Sequence, residues 1–314
     1  MSGRKVIIDS DMGTDDAVAL CMALFDDRLD ILALTATEGC VTAEQATRNL
    51  QAIVGMLDPD RYPRLGAAAP AENAPPINTT YLYGDDGLGN TGFAVSTLQH
   101  MMPSDKLIID CVRSYPGDVT IICLGPYTNV ARAFLRDPGV AEMVDRVVLT
   151  GGSICGIGNI TQAAEFNCYF DPESAQQVFT SRTTKTLVPL DVTTQVKFGL
   201  DVLEKLPERY CRVGGFLRQI LPFAFRSYRQ QLGQEDINLN DAVGMLALLE
   251  PELFEFESMA GQVEVDGQLT RGVTVFDRRS VPEWRCNMEV ATKIISDDII
   301  PSILNRLALA GNAS

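Results

Sequence analysis

The stretch 6–17, Val-Ile-Ile-Asp-Ser-Asp-Met-Gly-Thr-Asp-Asp-Ala, constrains this chain more than any other. Three β-branched residues, Val6, Ile7 and Ile8, read as a short strand buried on both faces. The chain then turns at Gly13 and enters an apolar pattern of helical period through Ala17, Leu20, Cys21 and Leu24. Four carboxylates, Asp9, Asp11, Asp15 and Asp16, thus crowd the end of a first strand and the first turn of a helix. Open α/β sheets bind ligands at that place. Acids so close repel one another unless positive charge sits among them. A helix amino terminus supplies about half a charge, and a divalent cation with oxygen ligands supplies the rest. On a plainer reading, Asp15 and Asp16 cap the helix and Asp9 and Asp11 are solvated turn residues. An apolar strand running straight into Asp-x-Asp and then a second acidic pair favours the ligand site.

The chain has 314 residues, enough for one large α/β domain over 1–314. A net charge of −15 argues against a nucleic-acid backbone as partner. The apolar run before Asp9 is too short for a signal peptide, and no later run approaches a membrane span. The eight cysteines never form Cys-x-x-Cys, and several sit in apolar patterns, as expected of reduced thiols in a cytoplasmic protein. A single histidine, His100, in a polar stretch, excludes zincin motifs and leaves little room for a histidine triad.

Strands are expected at 30–37, 64–66, 119–124, 146–149 and 186–190. Helices at 42–57, 104–115, 128–136 and 172–180 alternate with them, and Thr42 is a plausible cap. This alternation predicts an open, mostly parallel sheet with helices on both faces. Residues 69–98 read as a loop broken by proline and glycine, and 151–167 as a second glycine-rich loop. The last third reads as helices at 201–206, 210–232 and 240–250. Short segments at 254–257, 262–265, 272–276 and 290–295 follow, suggesting a small antiparallel edge or subsheet, and a closing helix spans 297–309.

Gly156-Ile157-Gly158 is followed by Thr161 where a dinucleotide fingerprint needs glycine, and no P-loop pattern occurs. Asp9-Ser10-Asp11 after a strand is also similar to the haloacid-dehalogenase phosphatases, but Gly13 stands where they carry Thr or Val. Two further stretches are informative. Asn159, Glu165 and Asn167 place two carboxamides and a carboxylate in one loop, able to read several hydroxyls or, alternatively, to satisfy their own backbone. Asp241 opens an apolar helix, either as a simple cap or as a distant partner for the amino-terminal acids.

Together these stretches resemble the inosine–uridine nucleoside hydrolase family. The pieces Glu44-Gln-Ala-Thr-Arg48-Asn49, Gly84-Asp-Asp-Gly87-Leu-Gly89, Leu124-Gly-Pro-Tyr-Thr128-Asn129, Gly151-Gly152 and Asn240-Asp241 are similar in order, across nearly the whole chain. The resemblance implies an N-ribosyl hydrolase acting on a small ribonucleoside, with one Ca²⁺ at the pocket floor. It implies Asp11, Asp16 and Asp241 as carboxylate ligands, with the Leu124 carbonyl beside them. It further implies Asp11 as general base, Asp15, Asn159, Glu165 and Asn167 as ribose-binding residues, and a homodimer or homotetramer.

Three positions depart from that pattern. Cys40 stands where members usually carry Asn, and Tyr83 and Asn240 stand where many carry His. Asn240 cannot protonate a leaving base, so Tyr228 or Tyr83 is expected to relay a proton, or the base leaves with solvent help. Both tyrosines, with Cys40 and Asn240, are expected on the substrate side of the pocket. A competing expectation is a ribosyl-binding relative whose hydrolytic role is lost or altered; a third is the phosphatase, with Asp9 as its nucleophile.

Overall fold

The computed structural model describes residues 3–95 and 101–314. Strand β1 (Arg4–Ser10) is buried from Val6 onward. Val6 and Ile8 enter one hydrophobic cluster and Ile7 the other, so side-chain alternation feeds cores on opposite faces of one sheet.

The other strands are β2 (Leu29–Ala36), β3 (Arg64–Ala67), β4 (Met102–Pro103), β5 (Val119–Cys123), β6 (Arg146–Thr150), β7 (Lys185–Val188), β8 (Phe254–Met259), β9 (Gly261–Val263), β10 (Thr274–Phe276) and β11 (Met288–Ile294). Nine of them form one sheet in the order β4-β3-β2-β1-β5-β6-β7-β11-β8. Every neighbouring pair is parallel except β11 with β8. The chain builds β2, β3 and β4 outward on one side of β1, then returns to lay β5, β6 and β7 on the other. The order therefore reverses between β1 and β5, where Asp9 pairs with Cys123. This is the crevice in which open sheets bind ligands.

Two helices reach that crevice amino end first. In the helix Thr14–Ala23 every residue but Asp15 is buried, and in Asn240–Leu249 the residues from Asp241 to Leu248 are buried. They pack on one another, so neither shows a polar face.

The carboxyl-terminal expectation of a small antiparallel edge or subsheet is met. Only β9 and β10 form the separate antiparallel pair, whereas β8 and β11 extend the main sheet. Val290 and Ala291 of β11 enter the two opposite cores, so their pattern resembles that of any other buried strand. The expected helix over 210–232 is α-helical through Arg212–Ser227 and ends in a π-helical turn, Tyr228–Leu232. The 69–98 loop contains a short helix, Thr80–Tyr83. His100 lies outside the described residues. All eight cysteines are free. Among the described residues no helix is long and apolar enough to cross a membrane.

Candidate active site

The turn after β1 is locked by its own side chains. Ser10 Oγ accepts from Met12 N at 3.1 Å and donates to Asp16 Oδ1 at 2.5 Å, while Asp16 Oδ2 accepts from Gly13 N at 2.9 Å. Met12 pays for this tightness with a left-handed φ of 63°, unusual outside glycine. The result brings the Asp16 carboxylate within reach of both Asp11 and Asp15.

Asp241 arrives there from the other buried helix. Ligand atoms of Asp15, Asp16 and Asp241 lie within 4.8 Å of one another, and so do those of Asp11, Asp16 and Cys40. Burial pushes the Asp15 carboxyl up to about 7, and the charge of Asp16 adds to it. Asp11 and Asp241 are also held well above the ordinary carboxylate range, first by burial and then by neighbouring acids. No Lys, Arg or His among the described residues lines the cleft. Buried carboxylates without a basic partner fit a hard divalent cation with oxygen ligands. Leu124 follows β5 and lines the same cleft.

Asp9 does something else. It is wholly buried, and its Oδ1 accepts from Thr35 Oγ1 at 2.6 Å and Asn129 Nδ2 at 2.8 Å. Burial raises its pKa to about 7. Asp9 is not among the residues that line the cleft and its Oδ1 ties β1 to β2, while its Oδ2 is buried without a partner among the described residues; the phosphatase reading needs Asp9 in contact with substrate.

The second loop supplies the opposite wall. Glu165 caps the short helix Phe166–Phe170: its Oε1 accepts from Asn167 N at 2.9 Å, and its Oε2 from Gly152 N at 2.8 Å and Cys168 N at 3.2 Å. Asn159 Oδ1 accepts from Phe166 N at 2.8 Å. Asn167 Nδ2 donates to Leu124 O at 2.7 Å and Thr150 O at 3.0 Å. Part of each side chain therefore builds the loop. Among the described residues Asn159 Nδ2 and Asn167 Oδ1 make no protein hydrogen bond, which leaves a donor and an acceptor for a ligand.

Cys40, Tyr83 and Asn240 line the same cleft, together with Asp11, Asp15, Asp241, Leu124, Asn159, Glu165 and Asn167. Asp16 lies beneath it. Tyr228 is not in the lining, but its hydroxyl sits near enough to Asp15 and Asp241 for both to raise its pKa, after burial, which raises it most. Burial and then Asp15 likewise hold the Tyr83 hydroxyl well above its usual range.

Four residues escaped the sequence reading. Thr150 and Thr193 line the cleft with buried hydroxyls that have no partner, and Asn240 Oδ1 is in the same state. Asp191 accepts from Ile154 N at 2.6 Å and Cys155 N at 2.9 Å, pinning the glycine-rich loop. Asn129 braces Asp9. No motif or spacing marks the two threonines or Asp191, whereas Asn129 lay within a quoted family piece but without a role.

Comparisons with known proteins identify the family. The family described as inosine-uridine preferring nucleoside hydrolase matches residues 6–300. Uridine nucleosidase 1 of Arabidopsis thaliana is 34% identical over 279 residues, covering 88% of this chain and 82% of its own. The non-specific ribonucleoside hydrolase RihC of Salmonella enteritidis is 34% identical over 293 residues, covering 93% and 94%. Among solved structures, the plant nucleoside hydrolase PpNRh1 superposes with a TM-score of 0.88 at 30% identity, over 97% of this chain and 99% of that one. The purine-preferring ribonucleoside hydrolase of Gardnerella vaginalis gives 0.90 at 26%, over 98% and 100%. The chain belongs to the inosine-uridine preferring nucleoside hydrolase family and is a nucleoside N-ribohydrolase.

Proposed function

We propose that the protein hydrolyses ribonucleosides to ribose and free base, with a Ca²⁺ held by Asp11, Asp16, Asp241 and the Leu124 carbonyl. One observation carries this reading: buried acids from both ends of the chain meet at the sheet's switch point with no basic side chain among them. When bound, the cation supplies positive charge that acidifies a neighbouring water and orients vicinal hydroxyls.

Asp11 is the general base. Its carboxylate lines the cleft floor, placed to take a proton from the water that attacks the anomeric carbon. Asp15 and the remaining acids stabilise the positive charge that develops on the sugar as the glycosidic bond stretches. Asp15, Asn159 Nδ2, Asn167 Oδ1 and Glu165 hold the ribose hydroxyls, so binding energy there serves the reacting centre. Asn240 has no proton to give. The proton for the departing base comes from Tyr228 or Tyr83, whose raised pKa values keep both protonated at neutral pH. The Arabidopsis relative is named a uridine nucleosidase, which supports including uridine among the substrates tested. Free cysteines are consistent with a reducing cytoplasm, and the family resemblance supports a homodimer or homotetramer.

The test is release of reducing sugar from inosine, uridine, cytidine, adenosine and guanosine, before and after chelation and after Ca²⁺ is restored. Chelator-sensitive release from at least one nucleoside is expected. Ribonucleoside binding without cleavage of any of the five would favour the relative that has lost hydrolysis.

A further inference from the structure

Asn49 lies outside the acidic cluster, on the helix Ala43–Leu57, and is buried. One hydrogen of its amide goes to Met12 O at 3.1 Å, inside the strained turn between Asp11 and Asp16. The other goes to Asp86 O at 2.7 Å. Its Oδ1 accepts from Gln45 Nε2 at 2.8 Å, which fixes which way the amide faces. A single planar group thus joins two segments far apart in sequence.

The segment on the far side is a unit. Asp86 Oδ1 accepts from Leu88 N and Asn90 N, both at 2.8 Å, and Oδ2 accepts from Gly92 N at 2.9 Å. Gly89 N donates to Tyr83 O at 2.8 Å, so this unit carries Tyr83 at its edge, over the cleft. Gly87 rests directly on the helix, with φ +77° and room for no more than a hydrogen: a β-carbon would meet Val41 Cγ1 at 2.6 Å and Asn49 Nδ2 at 3.3 Å. Thr14 Oγ1 donates to Gly87 O at 3.2 Å, a second strap from the acidic turn.

We infer that Asn49 is a positioning residue that couples cation binding at the acidic cluster to the order of residues 84–92, and through them to Tyr83. The inference rests on the proposed Ca²⁺ site. Drawing Asp11 and Asp16 onto a cation adds to the hydrogen bonds that already hold this turn and further restrains the Met12 carbonyl between them. That fixes one end of the Asn49 amide, and a rigid amide then fixes the Asp86 carbonyl at the other. Coupling between sites is a free-energy difference, and the usual range corresponds to about 5- to 150-fold.

The experiment is amide hydrogen exchange of the full chain with and without saturating Ca²⁺, alongside calorimetric titration of Ca²⁺. In the native chain Ca²⁺ is expected to slow exchange at Leu88, Asn90 and Gly92 by about tenfold. In Asn49→Ala the cation still binds, metal-free exchange at these amides stays within about twofold of native, and the Ca²⁺-dependent slowing disappears. Gln45→Leu, which frees the amide but leaves it in place, gives an intermediate loss and serves if Asn49→Ala does not fold. Binding heat in the native chain with no slowing at 88–92 overturns the inference alone, as does retained slowing in Asn49→Ala. Equally raised exchange with and without Ca²⁺ also overturns it, because Asn49 is then only structural. No binding heat in the native chain removes the Ca²⁺ site and this coupling together.

Discussion

Gly39 packs so closely on Asp11 that a β-carbon at position 39 would lie 2.1 Å from Asp11 Oδ2 and 2.7 Å from Asp11 Cβ. The close approach lets Cys40 N donate to Asp11 Oδ2 at 2.6 Å. Gly39→Ala therefore displaces the proposed base and ligand. Activity is expected to fall about 100-fold or more, with weaker Ca²⁺ binding by calorimetry and an unchanged circular dichroism spectrum. Native activity in this variant would show that Asp11 has no need of its place.

Asp9 and Asp15 have pKa values raised to about 7, and Asp11 and Asp241 are raised as well, all mainly by burial. In the unfolded chain each titrates near ~4. A raised folded pKa gives stability that is complete below the unfolded value and is lost as pH climbs through the folded one. With chelator present, the protein should melt at a higher temperature at pH 5 than at pH 7.5. Excess Ca²⁺ should reverse that order, since it binds the deprotonated acids. Melting curves that ignore both chelator and pH would count against the cluster as a cation site.

Tyr228→Phe keeps the ring and removes the proton. On the best nucleoside kcat is expected to drop about 100-fold, the low end for a general acid, with KM little changed. Cleavage of p-nitrophenyl riboside, whose leaving group needs no proton, should be unaffected. Unchanged turnover on the nucleoside would transfer the role to Tyr83, to be checked by Tyr83→Phe.

Lys185 is buried at the start of β7, where its Nζ donates to Ser181 O at 2.7 Å and Thr183 O at 2.8 Å, with no ion pair to a carboxylate among the described residues. Burial lowers its pKa from 10.5 to about 8. Between those values the unfolded chain binds more protons, so folding stability from this group rises with pH across that window. Urea unfolding at pH 7.5 and 9.5 should show the native chain gaining about 1 kcal/mol relative to Lys185→Met, after allowance for screening. A constant difference would mean that the lysine keeps its ordinary pKa in the fold.

Much of the site could be read from the chain because its signals are local. Val6 to Ile8 had to be a buried strand, Gly13 had to turn it, and four acids in eight residues had to find compensating charge. Asp241 could be joined to them only through resemblance, because no spacing rule links a helix cap late in the chain to a turn at its start. The parallel sheet followed from alternation, but β11 could not be assigned to it, since a strand feeding two cores carries no mark of its neighbours.

The sequence by itself determined which atoms are available: carboxylates, two carboxamides, and tyrosine or asparagine where the family resemblance leads one to expect histidine. Tertiary structure alone decided which of them are free to act. Asp9 Oδ1 is held by Thr35 and Asn129, outside the cleft lining, while Asp11 lines the cleft, although both sit in the same short motif. Glu165 is fixed by three backbone amides yet still lines the cleft, and Thr193, which nothing in the sequence marks, keeps an unpartnered hydroxyl. Hydrogen bonding is a matter of distance and direction, and those are set by packing between segments far apart in the chain.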